Sequence, residues 1–308
     1  MSMVGESYLV GLVGEGVRPS LTPPLHEREA DRHGLRYLYR PIDLLALDRP
    51  EDDLDATLGR LLASAADLGF SALNVTHPGK QRVVAQLDEV SPSAAAIGSV
   101  NTVLLVAGRR IGHNTDVTGF ASALRDGLPG ADLTDVVVIG AGGAGAAVAC
   151  ALLEAGAARL TVVDLDRGRA ETLAASLAAR FPRAAVTGAA ADAVTERLKD
   201  GTPTVTGLVN ASFVGMHTHP GIPIDSSLLR PELWVADIVY RPIETALLDA
   251  ARRAGCRVLD GGRMAVGQAA DAFRLITGVE PDRERMRDHF LEMVHRETTG
   301  SEGTREGR

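Results

Sequence analysis

Lysine is nearly absent from this chain. Of 32 basic residues only Lys80 and Lys199 are lysine, and every other is arginine. No block of Lys and Arg gathers anywhere, and the formal net charge is −8, which excludes non-specific binding to nucleic acid. Cysteine is scarce too. Cys150 and Cys256 form no ligand motif and no disulfide framework, so each reads as a small hydrophobe in a reducing compartment. The opening "MSMVGESYLV" lacks a basic n-region and a cleavage pattern, so no secretory signal and a cytoplasmic location are expected. Without export, the sequons at Asn74 and Asn210 carry no weight. There is no repeat at solenoid periods. One run, residues 136–153, is free of charge and long enough to suggest a membrane span. Its glycines and the flanking Asp135 and Glu154 favour a buried strand, a glycine turn and a buried helix instead.

What is present is ordinary for a globular protein: 308 residues, 45% apolar and 23% charged, enough for two domains. Up to about residue 117 the chain alternates between strand and helix signals. "SYLVGLVG" reads as a strand, and "TPPLHEREADRHG" as a helix with proline at its start and glycine after its end. "LRYLYRPIDL" and "FSALNVT" read as strands, and "DLDATLGRLLASAADLG" and "KQRVVAQLDEV" as helices. "AIGSVNTVLLVAGRRIGHNTD" reads as two strands about Gly108. This pattern predicts a mostly parallel sheet. From residue 118, "VVVIGAGGAG", "RLTVVDLD", "TGLVNAS", "WVADIVY" and "RVLDGG" predict a doubly wound sheet. From about residue 264 two helical segments follow without a strand and are expected to fold back on the first segment. The tail 296–308 lacks apolar residues and reads as disordered.

"GAGGAG" places Gly140, Gly142 and Gly145 in the G-x-G-x-x-G pattern. The motif is weak alone. Here an apolar strand precedes it, an apolar helix follows, and Asp164 closes the next strand at the usual distance. The first glycine permits the tight turn, the second clears space for a pyrophosphate, and the third lets helix and strand pack closely. Phosphates then meet the positive helix end. Asp164 is expected to accept hydrogen bonds from the adenosine ribose, favouring NAD over NADP. Arg167 and Arg169 stand nearby and could neutralise a 2′-phosphate. The alternative is that Asp164 merely caps the helix begun at Arg167.

Lys80, just after "HPG", stands at the end of a strand. Taken alone it reads as a solvated lysine at a helix start. Proton transfer to or from a hydroxyl, however, needs a group that arginine cannot supply. Asp116 falls between the two halves of the chain, where a carboxylate could hold and tune an ammonium. Ser20 and Thr22, in extended geometry, would point to the same side, and Asn101 adds an amide. Such groups suit a small polyhydroxylated acid.

Seven stretches, "SLTPPLHE", "NVTHPGKQ", "GSVNTV", "GHNTDVTGF", "GAGGAG", "NASFVGM" and "DGGRMAVGQAADAF", resemble the shikimate dehydrogenase family in order and spacing, over residues 7 to 290. The resemblance implies an α/β substrate-binding and catalytic domain over 7–117 plus 265–295, and a dinucleotide-binding Rossmann domain over 118–264. It implies a catalytic pair matching Lys80 and Asp116, and substrate contacts matching Ser20, Thr22, Thr76, Asn101 and Gln268, with Tyr240 nearby. Its cofactor contacts match Gly143, Ala144, Asp164, Arg169, Asn210, Ala211, Ile238 and Gly261, where the glycine at 261 would let the backbone approach the nicotinamide. Threonine at 22 and leucine at 165, where many members have serine and an NADP-reading arginine, resemble the quinate/shikimate subgroup that uses NAD. Phe213 is bulkier than the residue usual in its loop.

The resulting expectation is an enzyme that oxidises quinate and shikimate with NAD, as a monomer or homodimer, without nucleic acid, membrane or metal. The alternatives are an NADP-dependent shikimate or aminoshikimate dehydrogenase, and a non-catalytic dinucleotide sensor. His217 and His219 lack a third ligand at a sensible spacing. His77 is expected to order its turn, and Trp234 to anchor the core.

Overall fold

Short apolar runs closed by glycine or polar residues become strands here, and longer amphipathic runs become helices. The computed structural model describes residues 7–47, 53–199 and 205–302. Backbone contacts divide the chain into two units, Met1–Thr115 with Ala269–Arg308, and Asp116–Gln268.

In the first unit β1 (Ser7–Gly14), α1 (Thr22–Arg32), β2 (Arg36–Asp43), α2 (Leu54–Asp67) and β3 (Ala72–Val75) alternate as the sequence predicts. The run after Lys80 departs from the prediction. It is a short helix, α3 (Gly79–Arg82), followed by a 3₁₀ turn over Val83–Gln86. The Lys80 carbonyl accepts from Val100 N–H at 2.9 Å, an acceptor diverted from the helical ladder. Then follow β4 (Glu89–Val90), α4 (Pro92–Ile97), β5 (Thr102–Val106) and β6 (Arg109–His113). The sheet order is β2-β1-β3-β5-β6-β4. β1 pairs in parallel with β2 and β3, whereas β5 is antiparallel to both β3 and β6. One face buries Leu58 and Leu62 of α2 against Leu73, Val75 and Val103. The other buries Val10, Tyr37 and Tyr39 with Phe273.

The second unit contains α5 (Thr115–Gly127, which begins at the unit boundary), β7 (Asp135–Ile139), α6 (Gly143–Glu154), β8 (Arg159–Asp164), α7 (Arg167–Arg180), β9 (Ala185–Ala190), α8 (Ala193–Lys199), β10 (Gly207–Asn210), β11 (Trp234–Asp237), α9 (Ala246–Arg253) and β12 (Arg257–Leu259). All its strand pairs are parallel, in the order β12-β11-β10-β7-β8-β9. This is the doubly wound order of a Rossmann sheet, with its switch point between β7 and β10. The charge-free run resolves into β7 and α6, and Val136, Val137, Val138 and Val148 are fully buried. No helix among the described residues is long and apolar enough to cross a membrane. Trp234 is buried, stacks where Gly207 lacks a side chain, and donates to Asp132 O at 2.8 Å.

The last helices are α10 (Gly261–Thr277) and α11 (Arg283–Glu302). Phe273 of α10 lies in the core of the first unit. Arg285 of α11 is paired with the fully buried Glu29 of α1 at 2.6 Å. The backbone is thus helical over 296–302, where composition suggested disorder; extending an existing helix costs far less than starting one. The remainder of that tail, 303–308, lies outside the described residues.

Candidate active site

In the first unit the candidate residues gather where β1 and β3 end and β5 begins. Thr76 N–H donates to Val13 O at 2.9 Å, and Glu15 N–H donates to His77 O at 3.0 Å. Gly14 makes this crossing possible, because a Cβ there would stand 2.3 Å from Thr76 Cγ2. The His77 carbonyl therefore ties the turn to the residue after β1, a bond that any residue's backbone could make. Asn101 N–H donates to His113 O at 3.0 Å, and Asn101 O accepts from Val75 N–H at 2.8 Å. Together with the Val100–Lys80 bond, these contacts bring Thr76, Lys80 and Asn101 to one edge of the sheet. Lys80 is half-buried there.

Ser20 and Thr22 sit in the β1–α1 connection, but not in extended geometry. Leu21 between them is helical, at φ −82° and ψ −9°. Ser20 Oγ turns back to accept Thr22 N–H at 3.2 Å, a local side-chain turn that serine favours at helix starts. The extended geometry expected for Ser20 and Thr22, and the alignment of their hydroxyls by strand periodicity, therefore do not hold.

Beneath them lies a polar network that the sequence reading missed. Tyr39 Oη donates to Asn74 Oδ1 at 2.5 Å, and Asn74 Nδ2 donates to Thr102 Oγ1 at 2.8 Å. Asn101 Oδ1 accepts from Thr115 N–H at 2.8 Å, and Asn101 Nδ2 donates to Thr115 Oγ1 at 2.9 Å. A lone asparagine inside the apolar run "ALNV" was the available signal. Asn74 and Asn210 are both buried strand residues, closed to any glycan.

In the second unit the glycine motif passes three separate tests for a phosphate cradle. Gly140 has φ +107°, and a Cβ there would stand 2.6 Å from Ala211 O. A Cβ on Gly145 would stand 1.9 Å from Gly140 O, so helix and turn interlock only through glycine. A Cβ on Gly142 would meet only Arg169 Nη2 at 3.7 Å, so the space above it is open. Gly143 and Ala144 open α6, whose N-cap Gly142 provides no side-chain cap. First-turn N–H groups, open space and a nearby guanidinium suit a pyrophosphate.

Asp164 is not a helix cap. Asp166 caps α7 by accepting Arg169 N–H at 3.2 Å. Asp164 Oδ2 instead accepts Ala141 N–H at 2.7 Å, and its Oδ1 accepts Asp166 N–H at 3.0 Å. The carboxylate is thereby fixed against the glycine turn. Leu165 beside it is 95% exposed.

Asn210 ends β10 and is fully buried. Its amide serves the protein: Oδ1 accepts Ser212 N–H at 3.1 Å, and Nδ2 donates to Val214 O at 2.8 Å and to Asp237 Oδ1 at 3.0 Å. Ala211 packs on the glycine turn, and Phe213 is exposed. Gly261 has a packing reason of its own. The space of its missing Cβ is taken by the carbonyls of Ile238 and Val239, at 2.4 and 2.5 Å, so packing inside the protein already demands glycine there. Tyr240 follows Ile238 on the same half-buried segment.

Asp116 lies in the first turn of α5 and is buried. One turn on, Gly119 lets α10 approach so closely that a Cβ would stand 2.6 Å from Gln268 N. This crossing brings Gln268 within about one helical turn of Asp116, and Gln268 Nε2 donates to Ala265 O at 3.0 Å. A further residue that the sequence reading missed is Asp237, an acidic residue within an apolar strand run. It is 1% exposed, and burial pushes its carboxyl up to about 6 against hydrogen bonds that pull it down.

Comparison with known proteins gives the family of the chain. The model of the shikimate dehydrogenase substrate binding domain matches residues 12–103, and that of the shikimate 5′-dehydrogenase C-terminal domain matches residues 262–289. A shikimate dehydrogenase (NADP(+)) of Pseudarthrobacter chlorophenolicus is 59% identical over 96% of this chain and 98% of its own length. A quinate/shikimate dehydrogenase (NAD(+)) of Corynebacterium efficiens is 50% identical over 94% of this chain and 99% of its own. A quinate dehydrogenase from Corynebacterium glutamicum, solved in complex with NAD, superposes with a TM-score of 0.84 at 48% identity, covering 93% of this chain and 99% of that one. With its Rossmann sheet, glycine cradle and substrate-domain match, the chain belongs to the shikimate dehydrogenase family of nicotinamide-dinucleotide oxidoreductases.

Proposed function

We propose that this protein oxidises quinate and shikimate, reversibly, to 3-dehydroquinate and 3-dehydroshikimate, with NAD as the preferred cofactor. The observation that carries the cofactor choice is the Asp164 carboxylate. It is fixed by Ala141 N–H at 2.7 Å and Asp166 N–H at 3.0 Å, and leucine follows it at position 165. A carboxylate so held accepts ribose hydroxyls and repels a 2′-phosphate. Thr22 supports the quinate side of the reading, as do the relatives named for NAD and quinate.

When bound, the nicotinamide supplies the hydride acceptor. Lys80 takes the proton of the reacting hydroxyl, and Asp116 supports that transfer. Thr76, Asn101, Ser20, Thr22, Tyr240 and Gln268 bind and orient the polyhydroxylated acid. Gly140, Gly142, Gly143, Ala144 and Gly145 receive the pyrophosphate beside Arg169. Asn210, Ala211, Ile238 and Gly261 form the wall on the nicotinamide side.

The 59% identity to a shikimate dehydrogenase named for NADP favours a second reading, an NADP-dependent shikimate dehydrogenase. Initial rates at 340 nm with quinate or shikimate, each with NAD and NADP, separate the two. A kcat/KM higher with NADP, or turnover of shikimate without quinate, would overturn the first.

A further inference from the structure

Asp237 ends β11, one strand from β10 and two from the glycine turn after β7. Its buried carboxylate receives three donors from three segments. Thr245 Oγ1 donates at 2.7 Å to Oδ2, while Val239 N–H and Asn210 Nδ2 each donate at 3.0 Å to Oδ1. Two of the donors do a second job. Thr245 Oγ1 also accepts Leu248 N–H at 3.2 Å and so caps α9. Asn210 also holds Ser212 and Val214 of its loop. The Val239 bond fixes the peptide that follows Ile238. Even Gly215 closes on the site, where a Cβ would stand 3.6 Å from Asp237 Oδ2. An acceptor-only group at this point satisfies all three donors at once, which neither an amide nor a hydroxyl can do.

We infer that Asp237 is a positioning residue, which sets the 210–215 loop and Ile238, side chain included, in the geometry that receives the cofactor. The inference rests on the reading that Asn210, Ala211 and Ile238 face the dinucleotide. Asp237 itself is buried beneath that wall and acts through Asn210 and Val239. Removing it leaves the strands in place and lets the wall relax.

The test measures NAD dissociation constants by titration of the whole enzyme, kcat at saturating NAD and quinate, and the melting temperature. For Asp237→Ala we expect the NAD dissociation constant to rise about thirtyfold, in line with two or more lost buried hydrogen bonds, while kcat falls no more than about threefold. Asp237→Asn, which orphans only the Thr245 hydroxyl proton, is expected to raise it about fivefold. Thr245→Val should match Asp237→Asn, and Thr245→Ser should restore native binding. A residue that merely supports the fold would lower the melting temperature without changing NAD binding by the folded fraction, and that result would overturn the inference. If Asp237→Ala does not fold, the Thr245 pair decides, and equal effects of valine and serine overturn it. Ile238→Ala separates this inference from the reading beneath it. Unchanged NAD binding in Ile238→Ala removes the cofactor wall and the inference together. Weakened binding there, with native binding in the Asp237 variants, removes only the role of Asp237.

Discussion

Replacing Asp164 by serine should narrow the preference for NAD from both directions. The carboxylate makes two bonds to backbone N–H groups, at 2.7 and 3.0 Å. A serine hydroxyl reaches one such donor at most, so the glycine turn loses part of its anchor. Hydrogen bonds to charged groups contribute about 1.5–3 kcal/mol each, and the partial exposure of Asp164 places the loss at the lower end. With the ribose contact also gone, KM for NAD should rise roughly tenfold. The NADP side follows from charge. Two unit charges about 4 Å apart in water repel by about 1 kcal/mol, and a 2′-phosphate carries nearly two. Salt screening reduces that repulsion to a little over about 1 kcal/mol, and its relief should lower KM for NADP about tenfold. The ratio of kcat/KM for NAD to that for NADP should therefore fall about a hundredfold in Asp164→Ser. The assay is initial rate at 340 nm with shikimate saturating and each cofactor varied, and thermal melting controls for folding. An unchanged ratio in a folded variant would refute the assignment of Asp164 to the ribose and leave it a brace of the glycine turn.

Other outcomes are open to simpler measurements. Lys80→Ala should lose at least a hundredfold in kcat while binding NAD normally by titration, and a native kcat would remove Lys80 from the chemistry. Gly145→Ala places a methyl 1.9 Å from Gly140 O, so it should abolish NAD binding, whereas Gly142→Ala, with only Arg169 Nη2 at 3.7 Å, should fold normally and weaken binding through the cofactor alone. Calorimetry and thermal shift distinguish the two. Buried Asp135 is paired with Arg159 at 2.9 Å and Arg197 at 2.6 Å, so Asp135→Ala should cost about 3–5 kcal/mol in urea unfolding, and a loss under 1 kcal/mol would contradict the pairing. His26 is fully buried, and desolvation lowers its pKa to about 3 from 6.5. The unfolded chain therefore binds a proton that the folded one refuses, so this stability is whole above pH 6.5 and drains as pH falls towards 3, by about 5 kcal/mol. In His26→Gln the slope of stability against pH over that window should shrink, as followed by urea melts at each pH.

The sequence disclosed most where one residue type has one physical use. Glycine at 140 and 145 is demanded by backbone geometry, and the spacing of Asp164 by the length of a strand–helix–strand unit. Elements with strong periodicity, such as α2 and β7, stand where their patterns placed them. Legibility fails where tertiary contacts overrule local preference. The helix expected from Lys80 onward breaks because Val100 N–H captures the Lys80 carbonyl. β9 went unread because "AVTGAA" has little strand character. It is an edge strand whose Gly188 gives room to α7, with a Cβ there standing 2.4 Å from Ala170 O. β5 reads as a strand, but its antiparallel pairing with β3 is not legible, because alternation of apolar residues carries no strand direction. The conformation of Ser20 and Thr22 depends on a single helical residue, Leu21, whose dihedrals no composition records.

The same device recurs in the two units, at two asparagines that the sequence reading named as candidate contacts. Each sheet ends in a loop held by a buried asparagine, Asn101 in one and Asn210 in the other. Asn101 accepts Thr115 N–H and donates to Thr115 Oγ1. Asn210 accepts Ser212 N–H and donates to Val214 O. Loop backbone leaves both donors and acceptors unpaired, and in a buried position each orphan costs about 1–3 kcal/mol. Among short side chains only the carboxamide offers an acceptor and two donors without charge, so asparagine can close such a loop where aspartate or leucine cannot. Asparagine is also an ordinary surface residue. Its sequence signal is therefore its setting, a polar residue inside an apolar run, and Asp237 in "WVADIVY" and Asn74 in "ALNV" carry the same mark. Buried polar residues at strand ends thus mark a scaffold, while the half-buried hydroxyls of Ser20, Thr22 and Thr76, half-buried Lys80 and the open space at Gly142 are what the proposed function puts to use.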